Sequence, residues 1–341
     1  MTLDLRIVLV AESTPPFVDQ LRLCLWSIRR SAGRFAEAPV HVVFNERADA
    51  RVTEEIQRRF QVHTTIGPRL SRSLRFTNRW NMFGAPGLHE ADWVLQLDCD
   101  TVVTAALDPL ADLLKHTKTD FIAAPEVKRQ AWGCARLFAW ASGRSRREID
   151  DYRDASFPSD GYPVFNNGVF LIRGSRFKEF GRAVLPMTRH LYRKMRGTTW
   201  NPLQWAKIQW NRRFWKRPDA ARFILGPYFP RVHTNQIAVP ATLMKLGMRY
   251  ALLPEEFHWR EPGLPSGRTV RVLHYLGSVF PIGGKGRILD GVWIPRFMAS
   301  DQPCWRLLAE QASRYLKENQ ERPAPGSLRA QHPERQASGV A

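Results

Sequence analysis

Apolar and polar positions follow two different periods along the first hundred residues. Leu5 to Val10 (LRIVLV) is a short, β-branched apolar run of the kind that forms a buried strand. Ser13-Thr14-Pro15-Pro16 supplies turn chemistry, after which Phe17, Leu21, Leu25 and Ile28 recur at helical spacing; Gly33 suits the helix terminus. Val40 to Phe44 reads as a second strand and Val52 to Phe60 as a surface helix. Val62 to Ile66 reads as a third strand, and Trp93 to Leu97 (WVLQL) is the clearest one after it. Strand and helix alternating in this way predict βαβ units and a largely parallel sheet.

Beyond Phe121 the regularity weakens. Strand-like pieces at Phe121 to Ala124, Val169 to Ile172 and Val270 to Leu273 sit among long loops and a Trp- and Arg-rich middle. From Lys317 to Ala341 the chain is rich in Pro, Gln, Arg, Ser and Gly and poor in apolar residues, so it is expected to be a disordered tail. Residues 1–316 are expected to form one continuous domain.

Composition narrows the classes. The 341 residues are 44% apolar and 24% charged, which excludes wholesale disorder. Lys and Arg number 51 against 32 Asp and Glu, a net charge of +19 that predicts attraction to nucleic acid, an anionic membrane, or nucleotide-bearing substrates. Cys24, Cys99, Cys134 and Cys304 lie far apart without a CxxC pair, which argues against a zinc site or a disulfide scaffold. The first apolar run is too short, and carries a charge, for a signal peptide, and no run of about eighteen apolar residues exists to span a membrane. A soluble protein of a reducing, cytoplasmic compartment is the expectation.

Asp98-Cys99-Asp100 follows directly on the strand Trp93 to Leu97. Ligands of open α/β sheets bind beyond the carboxyl ends of strands. Two carboxylates with one spacer reach a single site only if the chain turns there, and they then suit a hard divalent cation that takes further ligands from phosphate. By itself the D-x-D spacing fits a solvated strand end equally well.

The surrounding order of motifs decides between these. Phe76-Thr77-Asn78-Arg79-Trp80 precedes Asp92 to Thr101; Phe165-Asn166-Asn167-Gly168-Val169-Phe170-Leu171-Ile172 lies downstream. Thr234-Asn235-Gln236, then Leu253-Pro254 with Phe257-His258, then Val272-Leu273-His274-Tyr275-Leu276-Gly277 follow in turn. This series resembles the GT-A glycosyltransferases of the glycogenin and lipopolysaccharide-galactosyltransferase branch, across residues 5 to 280. The chain departs from that branch at Asn235, where Asp is usual, at His258, where Asn is frequent, and at Ser278 to Pro281, where Lys-Pro-Trp is common.

The resemblance implies a GT-A fold: a Rossmann-like, mostly parallel sheet flanked by helices, with a nucleotide-binding half (residues 1–120) and an irregular acceptor-side half (121–316). It implies transfer of a sugar from a nucleoside-diphosphate sugar, UDP favoured, to a glycan or lipid-linked acceptor with retention, using Mn2+ or Mg2+. Asp98, Asp100 and His274 are implied as metal ligands. Ala11, Asn78, Arg79, Asn166, Gly168 and Gly277 are implied around the donor, and Asn167, Asn235 and Gln236 at the catalytic centre. Amides suit sugar hydroxyls, a guanidinium suits phosphate, and glycine admits a ligand close to the backbone. Gly161-Tyr162-Pro163 is expected on the acceptor side. Asn235 and Gln236 are poor bases, so an undetected carboxylate, Glu255 or Asp160, is the first suspect if the reaction inverts.

Two features stand outside this set. Gly283-Gly284-Lys285-Gly286 fits a phosphate-binding loop or a plain turn. Between Met187 and Phe223, ten Lys and Arg oppose only Asp219, with Trp200, Trp205, Trp210 and Trp215 among them. That segment fits either peripheral contact with an anionic membrane at its inner face or a packed helix with a solvated rim. Of the competing readings, a sugar-phosphate nucleotidyltransferase would want a Gly- and base-bearing loop after the first strand, which Ala11 to Pro16 lacks. A non-catalytic nucleic-acid binder would want a recognisable nucleic-acid motif, and none is found, so no nucleic-acid partner is expected.

Overall fold

The computed structural model describes residues 3–71, 75–126, 135–157, 161–199, 234–261, 263, 267–275 and 288–320. The four early apolar runs form β1 (Leu5–Ala11), β2 (Val40–Asn45), β3 (His63–Gly67) and β4 (Trp93–Leu97). They pair in parallel in the order β3-β2-β1-β4. Between them run α1 (Pro15–Ser31) and α2 (Ala50–Phe60). Pro15 at the first turn starts α1, and Asp49 caps α2 by accepting from Arg51 N–H at 2.8 Å. Gly33 takes φ +63° just beyond α1, the left-handed conformation expected of a residue past a helix end.

β6 (Phe121–Pro125), β7 (Phe165–Arg173) and β8 (Tyr250–Leu252) extend the same sheet to seven strands, in the order β3-β2-β1-β4-β7-β6-β8. The weakly patterned second half thus shares its sheet with the first. β7 is antiparallel to both neighbours, with Leu97 opposite Val169. The start of β7 therefore lies beside the end of β4. A second, two-stranded sheet joins β5 (Thr101–Val103) to β9 (Val272–His274).

Alternation along the strands feeds two cores. Leu5, Ile7 and Leu9 face one layer with α1, α2 and the C-terminal helix Pro303–Gln320, whereas Val8 and Val94 face another with α6 (Gly174–Thr199) and α7 (Thr234–Leu246), the helices that follow α3 (Pro109–His116), α4 (Ala135–Ser142) and α5 (Arg146–Asp150). The C-terminal helix passes the boundary expected at Lys317 and runs to Gln320: Trp26 Nε1 donates to Glu318 at 2.9 Å, and Arg59 donates to Asn319. The order of those last residues comes from this docking, which their composition does not reveal. The segment Arg75–Gly84, which carries Asn78 and Arg79, is a 3₁₀ helix.

Candidate active site

Asp98 and Asp100 converge because the chain turns as it leaves β4. Thr101 donates its N–H and its hydroxyl to the carbonyl of Asp98, at 3.2 and 2.7 Å. β5 then pairs with β9 so that Thr101 stands opposite His274, while Tyr275 N–H donates to Asp100 O at 3.0 Å. This short ladder carries His274 across the sequence to Asp100, with Nε2 3.2 Å from Oδ1. One donor atom from each of Asp98, Asp100 and His274 lies within 4.8 Å of the others. Burial raises the Asp100 carboxyl, but the electrostatic attraction and hydrogen bond of the His274 ring outweigh it, so the group ionises below its ordinary range.

The other face of His274 is backed by a second imidazole. Its Nδ1 lies 2.8 Å from Nε2 of His258. Burial, then His274 and Arg260, push the His258 ring well below the usual histidine range, so it stays neutral.

Arg79 closes the opposite side. It donates to Asp98 Oδ2 at 3.0 Å and to the carbonyl of Asn167 at 2.6 Å. Asp98 N–H in turn donates to Gly168 O at 2.8 Å, and Gly168 N–H to Asn166 Oδ1 at 2.9 Å. Asn166 Nδ2 reaches Glu126 Oε2 at 2.9 Å, which also accepts from Arg260 at 2.9 Å and Gln236 at 3.3 Å. Glu126 is buried at the end of β6. Sequence reasoning passed over it, since a lone acidic residue after Phe121 to Pro125 carries no spacing signal; Glu255, suspected instead, is exposed and faces Arg268 at 3.9 Å. Asp160 lies outside the described residues.

The structure brings Asn166, Asn167, Gly168, Gln236, Arg79 and the Asp98–Asp100–His274 group into one network. Asn235 is buried in the first turn of α7 beside Gln236. Other expected residues are engaged within the protein itself. Asn78 spends its side-chain oxygen on the N–H groups of Leu70 and Ser71, at 3.0 and 3.2 Å, holding the loop after β3. Ala11 is buried against Phe44 at the end of β1. The space over Gly168, expected to admit a ligand, is taken by the His274 ring. Tyr162, expected on the acceptor side, packs into the core against Phe138 and donates its hydroxyl to Asp150. Gly277, the 283–286 loop and the segment from Trp200 to Phe223 lie outside the described residues.

The donor set fits a divalent cation: two carboxylates and an imidazole at the carboxyl end of a parallel strand. Beside it, both polar atoms of the buried Asn167 amide, Oε1 of Gln236 and Nε of Arg79 have no hydrogen-bond partner among the described residues. Buried polar atoms are seldom left so, and this cluster suits a polar ligand that would satisfy them.

No family model matches the chain, and no curated protein matches it by sequence. Among solved structures it is similar to the galactosyltransferase LgtC in complex with donor and acceptor sugar analogs, with a TM-score of 0.51 and 14% identity, over 91% of this chain and 95% of that one. An LgtC active-site mutant, glutamine to glutamate, also gives a TM-score of 0.51 at 14% identity, over 92% and 95%. This chain has the GT-A fold. At that identity the likeness is one of fold. In the GT-A frame, the Asp98–Asp100–His274 group stands at the carboxyl edge of the parallel strands, where ligands of open α/β sheets bind. Among the described residues, no helix is long and apolar enough to cross a membrane.

Proposed function

We propose that the chain is a metal-dependent glycosyltransferase that moves a sugar from a nucleoside-diphosphate sugar, UDP favoured, to a glycan or lipid-linked acceptor. The observation that carries this reading is the adjacency of a two-carboxylate, one-imidazole group to buried, unpaired amide atoms on a GT-A sheet. The group suits a diphosphate-bound cation, and the amides suit sugar hydroxyls.

Asp98, Asp100 and His274 would hold Mn2+ or Mg2+, which supplies Lewis-acid neutralisation of the diphosphate leaving group. Arg79 places a guanidinium beside Asp98, within the same cluster, to meet phosphate oxygens. Asn166, Asn167 and Gln236 orient the sugar, with Glu126 fixing Asn166 and Gln236 from below. LgtC, by the description of its mutant, counts a glutamine in its active site, which supports giving Gln236 such a place.

Retention is the proposed outcome. Asn235 and Gln236 are amides and cannot serve as the base an inverting displacement requires, and Glu126 already accepts three hydrogen bonds. A panel of UDP- and GDP-sugars should be assayed by thermal shift and turnover, with and without Mn2+. Stabilisation and transfer with UDP-sugars and metal are expected, with the product's anomeric proton showing the donor's configuration. Neither stabilisation nor turnover with any nucleotide-sugar would end this reading; an inverted product would end only the retaining part.

A further inference from the structure

His258 and Arg260 are two residues apart, on either side of Trp259, whose N–H donates to Val272 O at 2.9 Å and whose carbonyl accepts from His274 N–H at 2.8 Å. Both side chains turn to the active-site network: Arg260 meets Glu126, and His258 meets His274. His274 is thus held by its backbone, pressed against Gly168, and backed by a buried imidazole that no role above uses. Its ring has no room to swing. The positions of its protons are what can still change.

Those positions are set by the neighbours. A carboxylate only accepts, so Asp100 Oδ1 at 3.2 Å calls for a proton on His274 Nε2. With one proton per ring, Nδ1 of His274 then accepts from Nε2–H of His258. A cation needs the lone pair of a ring nitrogen, and Nδ1 is covered by His258 and Gly168, so Nε2 is the ligand.

We infer that His258 is the positioning residue of the metal centre: cation binding reverses the His258–His274 hydrogen bond, each ring exchanging its single proton from Nε2 to Nδ1. His274 Nδ1–H then donates to His258 Nε2, which holds the ring with its Nε2 lone pair toward Asp98 and Asp100. The proton count of the pair is unchanged, and no proton is released by the pair itself. A hydrogen-bonded partner on the second ring nitrogen is the usual means by which a ligating histidine is oriented. The inference rests on the metal reading of this site.

The test uses the full chain labelled with 15N in its histidines, at about pH 8, where an unperturbed imidazole carries one proton. On saturation with diamagnetic Mg2+, the His258 and His274 resonances should change from the Nε2–H to the Nδ1–H pattern. Mn2+ affinity, read by calorimetry or electron paramagnetic resonance, should fall about 10- to 100-fold in His258→Phe, which fills the space without accepting. His258→Gln, whose amide oxygen can accept from His274, should retain most of it and serves if the Phe variant does not fold. A wild-type chain that binds cation with unchanged tautomers, or a Gln variant no better than Phe, overturns this inference alone. A wild-type chain that binds neither cation overturns the metal reading with it.

Discussion

Gly168 and His274 occupy one space: a Cβ built on Gly168 would lie 2.5 Å from Nδ1 of His274 and closer still to its Cε1. The glycine at the fourth position of β7 is therefore required by the histidine that closes β9. Gly168→Ala must push the ring off Asp100 and His258 or distort β7. Overpacking of this kind costs about 1–3 kcal/mol. Mn2+ affinity should fall at least about tenfold, as it does when a ligand's support is lost. Calorimetric titration beside a thermal melt checks both, and wild-type affinity in a folded Ala variant would show that His274 is not a ligand.

Asp100→Asn removes the carboxylate that faces His274 and should leave the fold intact, because the turn is held by backbone and by Thr101. Lewis-acid stabilisation is worth several kcal/mol, so transfer should fall by about 10³-fold or more. Turnover with chelator and with added Mn2+ measures this; near-normal rates in the variant would remove the metal from the mechanism.

Glu126 gathers three donors on one oxygen, one of them the Arg260 guanidinium. Glu126→Leu strands a mostly buried positive charge and should cost about 3–5 kcal/mol in urea unfolding. Adding Arg260→Leu should recover part of that loss. Glu126→Gln should fold better than Glu126→Leu yet lower kcat/KM about tenfold or more, because Asn166 and Gln236 lose a charged acceptor. Equal stability of Glu126→Leu and its double variant would show that no stranded Arg260 charge lies behind the loss.

His41, stacked on His63 across β2 and β3, is pushed down to about 4 by burial, with His63 and Arg6 adding to it. Its folded pKa lies below the unfolded value of about 6.5, so the unfolded chain takes up the proton first. Stability is then complete above about pH 6.5, declines as the pH falls, and levels off below about 4, for a loss of up to about 3 kcal/mol from this residue. His258, also lowered, acts in the same direction. Urea unfolding across this range should show a shallower decline in His41→Phe; an unchanged profile would place the acid sensitivity elsewhere.

The early strands were legible because period and composition agree: Leu5 to Val10 and Trp93 to Leu97 are largely buried on both faces and read as apolar runs interrupted only by Arg6 and Gln96. Helix α7 was not legible. Every residue from Thr234 to Met244 is buried, so it shows no polar stripe, and Pro240 inside it reads as a breaker. β5 and β8, at three residues each, are too short for any period to register.

The site divides in the same way. The sequence by itself determined which residues carry chemistry: a D-x-D after a strand, an Asn-Asn-Gly run, a late His-Tyr, in an order that resembles one fold. Tertiary structure alone decided which of them meet, and on what terms. The antiparallel turn of β7 puts Asn167 and Gly168 against Asp98, and the β5–β9 ladder puts His274 against Asp100. Glu126 and Arg260 had no spacing to announce them, and His258 stood out only as a departure from the resembled pattern. Their meaning lies in contacts between residues far apart in the chain, and a linear pattern records only neighbours along it.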